Sequence, residues 1–276
     1  MLGGAPALAQ TAQPSLQRYP AAREVQVRDV AGFVRVTPEN RTDVAVSIRS
    51  GGFEPPRVRL NGDRLVIDGR LRRQIRDCRI DGEGFQVTTT REGRVSGNEL
   101  MVIELRVPQN AVVSASGAVR LRVGASQAAR IAISGCGDAD ISRVADEADV
   151  SVAGSPDLRL HEAGSATVSL AGAGDIVVGV VHDGLTVSIA GAGDFIAGRA
   201  DGPTNIAIQG AGDVTIRDGH ATTLSVAIAG AGDVVHNGSA ERLDAAILGA
   251  GDVRVRHVEG EVTRRVLGGG EVIVGR

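Results

Sequence analysis

The sequence predicts an all-β fold, a single-stranded, right-handed parallel β-helix with about 19 residues per coil. Three observations carry that prediction. A turn motif recurs from residue 135 onward: Gly135-Cys-Gly-Asp138, Gly154-Ser-Pro-Asp157, Gly172-Ala-Gly-Asp175, Gly191-Ala-Gly-Asp194, Gly210-Ala-Gly-Asp213, Gly230-Ala-Gly-Asp233, Gly249-Ala-Gly-Asp252 and Gly268-Gly-Gly-Glu271. The acidic residues of these turns stand 18 to 20 positions apart, the mark of stacked identical units. Between turns the apolar residues alternate, as in Leu185, Val187 and Ile189 or Leu224, Val226 and Ile228, which is the period of a strand with one buried face. The composition agrees: 38 glycines, no Trp, and aromatics only at Tyr19, Phe33, Phe53, Phe85 and Phe195, so the core must be Val, Ile, Leu and Ala.

Two short strands joined by a Gly-x-Gly bend gain nothing alone. Their common register becomes useful when each coil lies on the one before, ~4.8 Å away, and equivalent side chains form columns inside a tube. Helix is excluded because no stretch keeps a 3.6-residue period and glycine recurs too often. Propeller blades need ~40–50 residues, about two of these units. A left-handed helix would show a six-residue period, which is absent.

Along the chain, residues 1–9 read as the remnant of a secretory signal peptide, with Ala7-Leu8-Ala9 fitting the small-x-small rule before Gln10. Residues 10–23 read as a flexible Pro/Gln/Ala tether. Residues 24–110 read as the irregular β N-terminal part of the helix, with alternating strands at 24–30, 33–36, 44–48, 58–60, 65–67 and 102–107, the last closed by Pro108. Residues 111–276 form the regular repeat, and Ser116-Gly-Ala-Val-Arg120 is a degenerate first copy.

An early Val-x-Val strand, the Asn61-Gly-Asp63 turn before Leu65-Val-Ile67, the strand closing at Val107-Pro108 and then the Gly-x-Gly-Asp repeats together resemble the auto-transporter adhesin head GIN-domain family of exported bacterial proteins. The resemblance covers residues 24–276 and implies a parallel β-helix at the cell envelope; it implies no established activity. Two turns depart from the pattern: Val119 and Arg120 replace Gly-Asp, and Pro156 replaces a second glycine, so those coils are expected to bend differently.

The acidic column is the first chemical candidate. Asp175, Asp194, Asp213, Asp233 and Asp252 stand in line one coil apart, where mutual repulsion of about 1 kcal/mol per pair needs an offset. One offset is calcium bridging, as in nonapeptide β-rolls. The other, which the Asp position and the 19-residue spacing favour, is structural. In that reading the carboxylates of Asp138, Asp157, Asp175, Asp194, Asp213, Asp233 and Asp252, and that of Glu271, accept backbone N–H groups of their own turns. Cys78 and Cys136 are the only cysteines; in an exported chain they form a disulfide, and otherwise they are two free thiols.

Among the histidines, His182 and His220 share a register two coils apart, too far for one metal, and His161 and His257 read as loop residues. His236 takes an inward apolar slot, as a hydrogen-bonded core histidine. No nucleophile elbow or dinucleotide fingerprint is present, so no catalytic residue and no cofactor is assigned.

Charge is unevenly placed. Residues 1–130 carry 20 Arg and 13 acidic residues; residues 131–276 carry 10 Arg and 20 acidic residues. The overall net charge of −3 gives no reason to expect nucleic-acid binding, and no apolar run is long enough for a membrane helix. The reading is a non-catalytic binding, adhesion or scaffold module, exported to the periplasm or cell surface. Its partner would be an envelope polymer, glycan or protein, and a second copy is expected at the open C-terminal coil, Val272 to Val274. The competing reading is a carbohydrate-active enzyme of polysaccharide-lyase type. It requires three or more acids converging with an Arg in one cleft. The Arg-rich stretch 70–79, otherwise a solvated loop, is the one irregular segment able to cover such a cleft.

Overall fold

Alternating β-branched residues put nearly every segment of this chain on a strand, and the turns decide how the strands stack. The structure, a computed structural model, describes residues 16–82 and 84–275. The signal remnant at 1–9 and the tether up to residue 15 lie outside the described residues. The rest of the expected tether is ordered: Gln17–Tyr19 pairs antiparallel with Val44–Arg49, and Ala22 is fully buried.

The chain is a parallel β-solenoid of about 9 turns with ~19 residues per turn. Its first long strand, Glu24–Glu39, merges the two segments read from sequence and pairs in parallel on both sides. On one side lies Asn110–Val123; on the other lie Arg64–Asp68 and Met101–Pro108. Below those two, pairing turns antiparallel: Val44–Arg49 lies on Met101–Pro108, and Arg57–Asn61 lies on Arg64–Asp68. The amino-terminal end of the tube is therefore closed by short antiparallel strands. Two of them lie outermost, Gln17–Tyr19 and Arg57–Asn61; the latter carries Arg57 and Arg59, charges that discourage further strand pairing.

From Asn110–Val123 upward each coil repeats in register through Ala128–Gly154, Asp157–Gly172 and Ile176–Gly191. Later coils split at the turns, as in Thr204–Gly210, Val214–Ile216 and His220–Ala221. The inward residues stack like on like: Leu170, Ile189, Ile208, Ile228 and Ile247 form one buried column. Burying each such side chain stabilises the fold by about 1.5–3 kcal/mol.

Both glycines of the motif are required by close approach of stacked turns. Gly210 has φ +142°, and a Cβ there would lie 2.1 Å from the Gly191 carbonyl oxygen. A Cβ on Gly212 would lie 2.2 Å from the Gly193 oxygen. Only backbone without a side chain fits between two turns at that spacing. The Pro156 turn does not bend away as expected: Asp138 pairs with Asp157 and Gly154 with Gly172, so the register passes through it unchanged.

The arginine-rich stretch departs from the loop expected of it. Ile75–Asp81, Gly84–Thr89 and Gly93–Ser96 form a separate three-stranded antiparallel sheet, an arm laid on the side of the tube. Phe85, Val87 and Val95 are buried beneath it, and Phe85 meets Phe33 of the tube edge-on, with ring centroids 5.9 Å apart. No α-helix occurs among the described residues; Gly97–Glu99 is a single 3₁₀ turn.

Candidate functional site

The acidic column is a hydrogen-bonded ladder between coils. Oδ1 of Asp157 accepts the N–H of Asp175 at 3.0 Å, and Asp175, Asp194, Asp213 and Asp233 each accept from the next Asp at 3.1, 3.0, 2.7 and 2.7 Å. Asp252 accepts the N–H of Glu271 at 2.9 Å. The donor thus belongs to the turn one coil later, not to the residue's own turn as the sequence reading had it. The turn leaves each of these N–H groups without a strand partner, and the preceding carboxylate supplies one. One oxygen of each carboxylate is committed in this way, whereas a calcium ion draws on six to eight oxygens. Among the described residues no group of three or more His, Cys, Asp or Glu is placed to hold a metal.

The first repeat swaps this device for an ion pair. Arg120 stands opposite Asp138, in the ladder position one coil earlier, and binds both its carboxylate oxygens at 2.9 and 3.2 Å, while Arg122 adds a third bond at 2.9 Å.

The histidines do not converge. His161 and His257 lie on strands, Asp157–Gly172 and Val253–Val258, rather than in loops. His161 pairs with Asp140 at 3.1 Å, His182 with Glu162 at 3.1 Å, and His220 with Ser239 at 2.8 Å and Glu241 at 3.3 Å. Burial pulls the nearby Asp201 carboxyl up, but hydrogen bonds from Arg199 and the His220 N–H outweigh it and hold the group below its usual range. His236 is fully buried in the column Val178, Ala197, Ile216, His236, Val255. Neither of its ring nitrogens has a hydrogen-bond partner of good geometry, the backbone of Gly238 and of His236 itself being near but poorly aligned, contrary to the bonded core histidine expected. Burial pushes its pKa down, so the ring is neutral, and backbone groups of Gly238 and His236 offset this only in part.

Outside the tube, the straight faces carry columns of small residues. Ser151, Ser169, Ser188, Ala207, Ala227 and Ala246 lie in line. Part of this column lines a shallow, mostly apolar groove of about 390 Å³. At the carboxyl end the column stops at Val262–Gly268, which pairs on one edge with Leu243–Gly249 and with no described strand on the other. There Leu248 and Leu267 are 61% and 72% exposed.

A wider cleft lies where the arm meets the first turns. It measures about 730 Å³ and brings Arg72, Arg73 and Arg76 together with Asp29, Asp77 and Asp157. Cys78 and Cys136 form a disulfide in its wall, with Cα atoms 6.2 Å apart. This cleft meets the count of acids and arginines set for the enzyme reading. Of its acids, Asp77 and Asp157 are exposed and Asp29 is half-buried. Sequence reasoning missed Asp29 as part of this site. It missed the arm sheet as well, although Phe85-x-Val87-x-Thr89 alternates and Asp81-Gly82 and Glu92-Gly93 are hairpin signals.

Fold and surface together define a class: a β-solenoid that presents ladders of side chains and one lateral cleft. A family profile described as "Putative auto-transporter adhesin, head GIN domain" matches residues 39–179 and 180–275. The chain belongs to this family. No curated protein sequence matches it. Among solved structures, a protein of Parabacteroides distasonis described as a putative lipid binding protein is similar at TM-score 0.50 and 14% identity, over 96% of this chain and 98% of its own, which shows the fold alone. Proteins described as putative adhesins from Parabacteroides distasonis (15% identity, TM-score 0.49) and Parabacteroides merdae (14%, 0.45) cover the same shares.

Proposed function

We propose that the chain is a non-catalytic binding and scaffold module of the bacterial cell envelope, exported to the periplasm or cell surface. The observation that carries this reading is the coil-by-coil repetition of outward side chains. A rod with the same small residues every ~4.8 Å offers an extended, flat contact to a polymer or protein partner. Family membership agrees with it, since the family carries an adhesin description. At the C-terminal coil, exposed Leu248, Val266, Leu267 and Ile273 surround a strand edge that no described strand pairs, the place for a second copy to add. The acidic ladder acts structurally, joining successive turns.

The test is a screen of the purified chain against envelope glycans and other envelope components, with product analysis on each glycan. Binding without breakdown is the expected result. Depolymerisation of any glycan would favour the polysaccharide-lyase reading, and an absence of binding across the screen would overturn the module reading.

A further inference from the structure

We propose that the cleft between the arm and the first coils binds the carboxylate-bearing sugars of an acidic polysaccharide, with Arg72, Arg73 and Arg76 as the anion-binding residues. The inference rests on the module reading above and gives it a site and a ligand chemistry.

The first argument is charge left unused. On the tube, Arg120, Arg122, Arg130, Arg143 and Arg199 are paired with acidic side chains, while Arg159, Arg217, Arg242 and Arg256 stand singly, without an ion pair to a described residue and apart from any shared cleft. Arg72, Arg73, Arg76 and Arg79 of the arm make no ion pair with any described residue. A guanidinium presents a planar fork of donors that fits a carboxylate in two-point fashion. Three such forks face one cleft of about 730 Å³, within the size range of small-ligand sites.

The second argument is selectivity from the acids between them. Asp29, Asp77 and Asp157 accept hydrogen bonds but repel a densely charged polymer. A ligand that carries both anionic groups and many hydroxyl donors suits this alternation; a uronate chain does, with one carboxylate and two free hydroxyls per sugar. A single-stranded nucleic acid does not, because no aromatic side chain lines the cleft to stack on a base.

The third argument is backbone held away from its resting state. Among the described residues, left-handed φ at a residue other than glycine occurs only at Asp29 (+52°), Arg70 (+61°) and Arg73 (+60°). Two of these line the cleft and the third lies within a few residues of them. Asp29 sits in a β-bulge, where Val27 and Val30 face Ala115 and Gly117. Bulges and left-handed residues gather where side chains must be aimed at a ligand. The Cys78–Cys136 disulfide then fixes the arm over the turns, so the arginines are positioned before a ligand arrives.

The experiment measures binding of sodium polygalacturonate, its methyl ester, dextran and single-stranded DNA to the full chain. The variants are R72Q/R73Q/R76Q and, as a remote control, R242Q/R256Q. The expected result is binding of polygalacturonate alone, weakened with rising salt, lowered tenfold or more by the triple variant and unchanged in the control. Reduction of the disulfide is expected to weaken binding while the circular-dichroism spectrum of the tube persists. Equal binding of the methyl ester or of DNA, no binding of polygalacturonate, or full affinity in a folded triple variant would each overturn the assignment. If the triple variant still binds glycans in the broader screen, the module reading stands and only this site falls.

Discussion

The regular repeat and the first third of the chain are built from the same strands but held in different ways. In the repeat, each residue is specified by its counterparts one coil below and one above: glycine on glycine, isoleucine on isoleucine, carboxylate on the next N–H. Its devices are periodic, and its outer surface is uniform as a consequence. The first third adds devices of its own: an antiparallel cap, a left-handed Asp29 in a β-bulge, a disulfide to the first repeat and an arm whose Arg72, Arg73, Arg76 and Arg79 make no ion pair with a described residue. The difference teaches where individuality resides on a solenoid. A stack imposes sameness, and a particular ligand site forms where the stacking rule is broken.

The largest effect that would break this contrast belongs to the repeat. Gly210→Ala puts a Cβ 2.1 Å from a carbonyl oxygen of the preceding coil, and the loss is expected to be about 3–5 kcal/mol, or failure to fold, read by thermal melting. Gly269→Ala, where a Cβ would have open space, serves as the neutral partner. In the first third, Cys78→Ser with Cys136→Ser is expected to cost roughly 2–4 kcal/mol, because the bridge closes a sequence separation of 58 residues. The melt of the arm should separate from that of the tube, and a single unchanged transition would erase the distinction between the two regions.

A smaller effect has the opposite sign. His236→Val replaces a ring with two unpartnered buried nitrogens by a side chain that matches its aliphatic column, and is expected to stabilise by roughly 1–3 kcal/mol. The folded-state pKa of His236 is lowered, so below the unfolded histidine value of about 6.5 the unfolded chain binds the extra proton. The stability tied to His236 is therefore present above that pH and lost as pH falls toward the folded-state value. Melting curves of His236→Val should lose this slope. The smallest effect is expected at the ladder: Asp213→Asn keeps the acceptor oxygen and should shift stability by less than about 0.5 kcal/mol, equally in calcium and in chelator. A calcium-dependent shift would restore the cation reading of the column.

Much of this was legible in sequence because a solenoid writes its register into its spacing. The turns at 172, 191, 210, 230, 249 and 268 gave the coil length, and Leu185, Val187 and Ile189 gave the inward face. The donor of each ladder bond was not legible, since an Asp beside its own N–H looks the same whether it bonds within a turn or between turns. His236 occupied the slot expected of it, but whether a ring nitrogen finds a partner depends on three-dimensional neighbours. The Arg-rich stretch 70–79 was legible as a segment able to cover a cleft, but its acidic lining was not, because Asp29 and Asp157 are far from it along the chain and meet it only when the arm folds over the tube.

The stacking itself is open to direct measurement. Spin labels at Ser169 and Ala246 span four coils, and labels at Ser151 and Ala246 span five, so electron-spin distances of about 19 and 24 Å are expected, one strand spacing apart. Distances that fail to lengthen by that single step, or that spread over a broad range, would contradict a continuous parallel β-helix.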